Sequence, residues 1–169
     1  IFFRAIKLIL FPVKYPKVIV LEMGDDHAGD IQKLASLAKP AVAVVTAVSP
    51  AHLEFFGTMK RVIEEKGKLV EALSEDGAAM LNRDDDAVFG MKELTRAKKI
   101  TFGFREGADL QAVEMSERAD GGVAFKIRQG GSTVPVTLLG VAGRQHVYAA
   151  LAAAAVGKSL GMNLVEIAE

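Results

Sequence analysis

Apolar runs and polar breaks alternate along the chain and divide it into short elements. The runs Val18–Leu21, Val42–Val48 and Ala78–Leu81 are almost wholly apolar, as strands are when both faces of a sheet are covered. Lys99–Phe104 is predicted as a further strand, and apolar residues at helical spacing lie between the runs. This order predicts β-α-β units and a mainly parallel sheet flanked by helices. The first of these helices has a predicted buried face of four residues: Ile31, Leu34, Ala35 and Ala38.

The pattern changes in the second half of the chain. Leu110–Met115, Val123–Arg128 and Thr133–Leu138 alternate more regularly, and glycine-containing turns separate them. Such spacing is typical of antiparallel hairpins. An alanine-rich helix over Val147–Leu160 follows, with Gly161 as its cap. We therefore predict a three-layer α/β fold in which a small antiparallel β-sheet is appended to the parallel one.

A predicted helix from about Met59 to Leu73 contains an anomaly. Lys66 lies on its apolar stripe, four residues from both Val62 and Val70. One interpretation is that the side-chain stem is buried while the ammonium group reaches water. The other is that the lysine is held beside a site where its charge or its amine is used.

Composition excludes several classes of function. The chain has 169 residues, which suits one domain, and its 21 basic residues balance 21 acidic ones. Without excess positive charge there is no electrostatic argument for a nucleic-acid partner. The absence of cysteine excludes disulfides and thiolate metal sites. No apolar run is long enough to predict a membrane span.

Both ends of the chain are expected to be cuts through a larger protein. The start is strongly apolar and lacks a methionine, and Arg4 and Lys7 interrupt it in a way that argues against a signal peptide. A helix is predicted there instead, with one apolar face: Phe2, Phe3, Ile6, Ile9 and Leu10. At the other end, a new helix is expected to begin after Asn163. Residues 1–169 are therefore interpreted as a fragment that forms one domain.

Polar residues follow two of the predicted strands. Glu22 comes directly after Val18–Leu21, and His52 comes just past Val42–Val48. In open parallel sheets, ligands gather at the carboxyl ends of the strands. Together with Lys66, these residues form a candidate site, because carboxylates and imidazoles bind metals. The alternative for Glu22 is a solvated turn residue.

Two further motifs resemble functional sites. Asp25, Asp26, His27 and Asp30 resemble a metal cluster, but adjacent acidic residues before a helix are more typical of a helix cap. Gly157-Lys158-Ser159 resembles the end of a phosphate-binding loop. We reject that interpretation because the motif should follow a strand and open a helix, whereas here it ends one.

Five segments follow one another along the chain: VIVLEMGDDHAGDIQKLASLAKPAVAVVTAVSPAHLEFFG, EKGKL, GAAMLNRDDD, ITFG and GRQHVYAALAAAA. Taken together and in this order, they resemble the central, ATP-binding domain of the Mur ligases. The resemblance runs from about Tyr15 to the end of the chain, and the ordered series is specific where any one match is not. Within the family the segments are most similar to the MurF type, the ligases that add D-alanyl-D-alanine to the UDP-muramoyl tripeptide of peptidoglycan.

This resemblance implies a cytoplasmic, ATP- and Mg²⁺-dependent ligase that forms an amide bond. Such enzymes phosphorylate a substrate carboxylate to an acyl phosphate, which the incoming amine attacks; the expected substrates are UDP-MurNAc-peptide and D-Ala-D-Ala. By resemblance, Glu22 and His52 match the family's magnesium ligands. Lys66 matches a catalytic lysine that is carbamylated in many members, and a carbamate is an oxygen ligand suited to magnesium.

The chain departs from the family pattern at its nucleotide-binding positions. These positions are matched by four residues: Thr46, Gln145, His146 and Ala149. The family has TNV where this chain has Thr46-Ala47-Val48, and asparagines where it has His146 and Ala149, which puts the adenine contacts in question. The family's phosphate-binding loop, N-terminal UDP-sugar domain and C-terminal domain are expected outside the fragment. Alternatives are another superfamily member (a diaminopimelate- or lysine-adding ligase, or a cyanophycin or folylpolyglutamate synthetase) and a non-catalytic paralogue.

Overall fold

The computed structural model describes residues 16–24, 26–50, 53–119 and 121–169. The helices are α1 (Asp30–Ala38), α2 (Leu53–Phe56), α3 (Met59–Glu71), α4 (Asp86–Gly90), α5 (Arg144–Ser159) and α6 (Leu164–Ala168), with a 3-10 helix over Met91–Leu94. The strands are β1 (Val42–Val45), β2 (Ala78–Asn82), β3 (Lys98–Gly103), β4 (Leu110–Arg118), β5 (Gly122–Gln129) and β6 (Ser132–Leu139).

The six strands form one sheet whose order follows the chain, β1-β2-β3-β4-β5-β6. Strands β1 to β4 pair in parallel, and β4, β5 and β6 pair as antiparallel hairpins. The α/β class and the hairpins are thus confirmed. The antiparallel part is not a separate sheet, however, because Leu110 at the start of β4 lies in register with Phe102 of β3. The hairpins therefore extend the parallel sheet.

Helices cover both faces of the parallel part. All five residues of β2 are buried, as expected for a strand with a layer on each side. Successive side chains of a strand point to opposite faces, so Met80 packs towards α5, where Val147 and Leu151 lie. Leu81 packs on the other face with Val70 of α3. This arrangement confirms the three-layer prediction.

The predicted strand over Val18–Leu21 is wrong. These residues form no strand, and their exposed fractions range from 49% to 90%. An apolar strand of a parallel sheet is stabilised by hydrogen-bonded neighbours and by cover on both faces, and residues 16–24 pair with no strand of the described sheet. Glu22 therefore does not end a sheet strand in this structure, and it is exposed.

Three of the predicted helices are confirmed. Met59–Glu71 and Arg144–Ser159 are helical, so Gly157-Lys158-Ser159 does end a helix. The helix after Asn163 is confirmed, and Asn163 forms a capping box with Glu166. On α1, Ile31 and Ala35 are buried, but Leu34 and Ala38 are not.

The predicted helix over residues 2–10 lies outside the described residues. Among the helices that the structure does describe, none has both the length and the apolar character needed to cross a membrane.

Candidate functional site

The turn after β2 connects the carboxyl ends of neighbouring strands. Asn82, at the end of β2, is buried. Its side-chain amide donates to the carbonyl oxygen of Thr46 at 2.8 Å, and its Oδ1 accepts from the Asp84 N–H at 2.9 Å. A buried amide must satisfy both of its ends, so Asn82 holds the end of β1 against this turn.

Asp85 continues this connection. Its Oδ2 accepts from the Val48 N–H at 2.8 Å, beyond the end of β1. Its Oδ1 accepts from the Ala87 and Val88 N–H groups at 3.0 and 3.1 Å and so caps α4. The residue that caps α4 therefore also positions the chain that follows β1.

Asp84 connects the end of β3 to α5. Its carboxylate accepts from the Phe104 and Arg105 N–H groups at 2.7 and 2.8 Å and from the Tyr148 hydroxyl at 2.7 Å. Gly103 allows this approach, because a Cβ at that position would lie 2.5 Å from Asp84 Oδ1. One carboxylate therefore holds together β2, β3 and the helix behind them.

These contacts shift the pKa values of Asp84 and Tyr148. Burial raises the pKa of Asp84, but the two backbone N–H groups, the Tyr148 hydroxyl and the charge of Arg105 outweigh it, so the net pKa is lowered. Burial, together with the hydrogen bond to the Asp84 carboxylate, raises the pKa of Tyr148. Asp84 is thus an ionised acceptor and Tyr148 a neutral donor at pH 7.

A cavity of about 450 Å³ opens beside this network. Phe104 and Tyr148 pack edge to face at 5.2 Å between ring centroids, and the Arg144 guanidinium lies 4.0 Å from the Phe104 ring centroid. An aromatic side chain and several oxygen acceptors therefore border one volume, which suits an organic ligand with polar edges. The lining residues are Thr46, Ala47, Asn82, Asp84, Asp85, Gln145 and Tyr148.

The four residues predicted to bind nucleotide are only partly brought together. Thr46 and Gln145 line this cavity. His146 is half-buried and Ala149 is exposed, and neither is among the lining residues. The sequence did not point to Asp84 or Tyr148 as lining residues; their hydrogen bond spans 64 positions in the chain.

A second, smaller cavity of about 120 Å³ lies beside the first. Thr46 and Ala47 line both. Lys66 is half-buried and lines the smaller cavity, and so does Met23, the residue after Glu22. The segments that carry two of the predicted metal ligands therefore border one cavity. His52, the third, lies outside the described residues.

Magnesium is the metal that the family resemblance predicts for this site. Within the described residues, no group of three or more His, Cys, Asp or Glu side chains is placed to hold a metal ion. Magnesium usually takes only one or two protein carboxylates and completes its shell with waters and substrate phosphates. The Glu22 carboxylate and a carbamate on Lys66 would be oxygen donors of this kind. The magnesium site therefore remains a prediction.

Glu65 was missed by the sequence argument. Its exposed fraction is 6%, and it lies next to the lysine that the helical pattern singled out. Glu65 Oε2 and Oε1 accept from the Gly29 and Ile31 N–H groups, each at 2.9 Å. The one available signal was that α1 begins after a glycine, without a local side-chain cap.

In sequence, this chain is similar to the middle domain of the Mur ligases. The model of the Mur ligase middle domain matches residues 6–157. A UDP-N-acetylmuramoyl-tripeptide–D-alanyl-D-alanine ligase of Mycobacterium tuberculosis is 34% identical over 150 residues, which is 89% of this chain and 29% of that protein. A UDP-N-acetylmuramate–L-alanine ligase of Aquifex aeolicus is 31% identical over 148 residues, 86% of this chain and 31% of that protein.

A solved structure is also similar. The MurF ligase of Thermotoga maritima, determined in complex with ADP, superposes with a TM-score of 0.78 at 30% identity. The match covers 92% of this chain and 37% of the Thermotoga chain. The present chain thus spans about a third of the length of the proteins that it resembles.

Proposed function

The chain belongs to the Mur ligase family, in which it corresponds to the middle domain, and from this premise we propose that it is the ATP-binding part of a cytoplasmic ligase that joins D-Ala-D-Ala to UDP-MurNAc-tripeptide. The observation that carries the proposal is the cavity of about 450 Å³ beyond β1 and β2. Nucleotides bind at the carboxyl ends of parallel strands in folds of this kind. The similar Thermotoga ligase was determined with ADP.

The proposed reaction has two steps. An oxygen of the substrate carboxylate attacks the γ-phosphorus of ATP, the bond to the bridging oxygen breaks, and ADP and an acyl phosphate form. The amine of the second substrate then attacks the acyl carbon and releases phosphate. The amide nitrogen loses one proton to solvent, so one ATP yields ADP, phosphate and one amide bond.

The residues of this chain would bind and orient ATP. Thr46 and Gln145 line the larger cavity and offer hydrogen-bonding groups to the nucleoside, while Tyr148 forms part of its wall. Lys66 lines the adjoining smaller cavity and would face the phosphates. A magnesium ion held through Glu22, His52 and a carbamate on Lys66 would neutralise phosphate charge during transfer.

The comparisons also support a second candidate pair of substrates, UDP-MurNAc and L-alanine. The L-alanine-adding relative from Aquifex aeolicus is nearly as similar to this chain, at 31% identity, as the D-Ala-D-Ala-adding relatives. The middle domain alone does not separate these activities, since it spans about a third of each relative. Substrate identity therefore has to be tested on the whole ligase.

The test measures ADP release and the mass of the product in parallel reactions of the whole ligase. We expect ADP formation and a new amide product with UDP-MurNAc-tripeptide plus D-Ala-D-Ala, and neither when the dipeptide is omitted. Turnover with UDP-MurNAc plus L-alanine alone would reassign the chain within the family. Absence of ATP consumption with both pairs would indicate the non-catalytic paralogue.

A further inference from the structure

Tyr148 is the aromatic side chain among the described residues that line the larger cavity. It is half-buried, so part of the side chain is open to that space. Its partner in the edge-to-face pair, Phe104, is not among the lining residues. Aromatic rings bury a large apolar area and stack on other flat ring systems. In the proposed reaction Tyr148 forms part of the wall, and its ring has no further role.

Two contacts hold the Tyr148 ring in place. Its hydroxyl donates to Asp84 Oδ2 at 2.7 Å, and the ring packs against Phe104 with an angle of 79° between the two planes. Phe104 is fixed in turn, because its N–H donates to Asp84 at 2.7 Å and the Arg144 guanidinium lies 4.0 Å from its ring centroid. A side chain that is already held loses little conformational freedom when a ligand packs on it.

The acidic side chains of the cavity wall are engaged by donors of the protein itself. Both carboxylate oxygens of Asp84 accept from backbone N–H groups, and so do both carboxylate oxygens of Asp85. The buried amide of Asn82 is used at both ends, by the Thr46 carbonyl oxygen and the Asp84 N–H. These three side chains hold the wall together. Side-chain hydrogen bonds to a ligand therefore fall to Thr46 and Gln145, which also line the cavity.

The charge of this wall favours an uncharged part of a nucleotide. Asp84 and Asp85 line the cavity, and its described lining residues include no lysine or arginine. Carboxylates repel phosphate groups, and the repulsion is stronger where water is partly excluded. Lys66, in contrast, lines the adjoining smaller cavity. The phosphates therefore fit the side of Lys66, and the base fits the side of Tyr148.

We propose that Tyr148 is the surface on which the nucleobase of ATP stacks, and that Asp84 is a positioning residue that holds its ring. The inference rests on the proposed function, because it assumes a nucleotide in the larger cavity. Every base has a π face, so stacking on an aromatic ring requires no particular hydrogen-bond pattern. Tyr148 thus distinguishes a nucleotide from a polyphosphate that carries no base. A tyrosine that only stabilised the fold would not affect these two ligands differently.

The experiment measures the binding of ADP and of inorganic tripolyphosphate to the whole ligase by isothermal titration calorimetry in the presence of Mg²⁺. Tyr148→Leu keeps apolar bulk and removes the flat ring, whereas Tyr148→Phe keeps the ring and removes the hydroxyl. The matched control is Leu160→Ala, because Leu160 is 53% exposed and lies at the far end of the same helix, about 18 Å along its axis from Tyr148. Thermal unfolding of each variant establishes that it is folded at the assay temperature.

We expect Tyr148→Leu to weaken ADP binding about tenfold, as loss of a base-stacking ring does, and to leave tripolyphosphate binding unchanged. Tyr148→Phe should weaken ADP binding by no more than about twofold, because Phe104 still packs against the ring. The KM for ATP should rise in parallel in Tyr148→Leu, with kcat at saturating ATP nearly unchanged. Leu160→Ala should match the parent in every measurement.

Parent-like ADP affinity in folded Tyr148→Leu would overturn the proposal. An equal loss of ADP and tripolyphosphate binding would also overturn it, because the base would then not be the part of the ligand that Tyr148 contacts. If Tyr148→Phe loses as much ADP affinity as Tyr148→Leu, the hydroxyl and not the ring binds the ligand, and stacking is refuted. If Tyr148→Leu does not fold, Tyr148→Met, whose flexible side chain fills irregular gaps, is judged by the same criteria.

The parent ligase separates this inference from the proposed function. A parent that neither binds ADP nor consumes ATP would overturn the proposed function, and this inference with it. A parent that does both, with Tyr148 variants indistinguishable from it, overturns the inference alone.

Discussion

Replacing Asp84 by alanine should loosen the turn between β3 and β4 without unfolding the sheet. The substitution removes the acceptor of the Phe104 and Arg105 N–H groups and of the Tyr148 hydroxyl. A hydrogen bond to a charged group contributes about 1.5–3 kcal/mol, and a neutral one about 1 kcal/mol. Because Asp84 is only half-buried, water replaces part of each contact, and we take about 1 kcal/mol for each of the two backbone bonds.

The local opening free energy at these two amides should therefore fall by about 2 kcal/mol, which corresponds to about 30-fold faster exchange with solvent deuterium. Amide hydrogen exchange of the segment 102–106 measures this directly. Asp86→Ala is the matched control, because Asp86 pairs with the Arg105 side chain but accepts from neither amide. Its exchange should change less than twofold.

Two results would refute this reasoning. If exchange at Phe104 and Arg105 is unchanged in Asp84→Ala, the carboxylate does not hold the turn. If Asp86→Ala accelerates exchange as much as Asp84→Ala does, a general loss of negative charge explains the effect. Tyr148→Phe offers a further check, since it removes one of the three bonds and should leave most of the protection at the two amides.

Three further predictions concern the site and its pH dependence. Lys66→Ala should nearly abolish turnover of the whole ligase, and a short-chain carboxylate in solution should restore part of it by replacing carbamate oxygens; a fully active Lys66→Arg would show that the residue is only a cation with a buried stem. His52→Ala should reduce turnover far more than thermal stability, and unchanged turnover at limiting Mg²⁺ would exclude a ligand role. The lowered pKa of Asp84 means that its bonds stabilise the fold fully above its ordinary pKa of 3.8 and are lost as pH falls through the lowered value. The urea midpoint of the parent should therefore fall more steeply in acid than that of Asp84→Asn, and equal slopes would contradict this assignment.

The sequence alone predicted elements whose signals are local. The wholly apolar run at Ala78–Leu81 predicted a buried strand, and β2 is buried at every residue. Alternating residues separated by glycines predicted the hairpins of β4, β5 and β6, since turn chemistry and a period of two act over a few neighbours. Helix α3 follows from apolar spacing for the same reason.

Tertiary structure decided what depends on distant partners. Val18–Leu21 has the composition of a buried strand, but a strand also needs neighbours, and here the segment is exposed. Helical periodicity indicated Lys66, whereas the acid that is buried among the described residues is Glu65, because N–H groups at the start of α1 donate to its carboxylate. The sequence did not single out Asp84, whose carboxylate accepts from three donors that the segment after β3 and helix α5 bring to it. The burial and the hydrogen bonds of a polar group are determined by its neighbours in space. A periodic sequence pattern contains information only about neighbours along the chain.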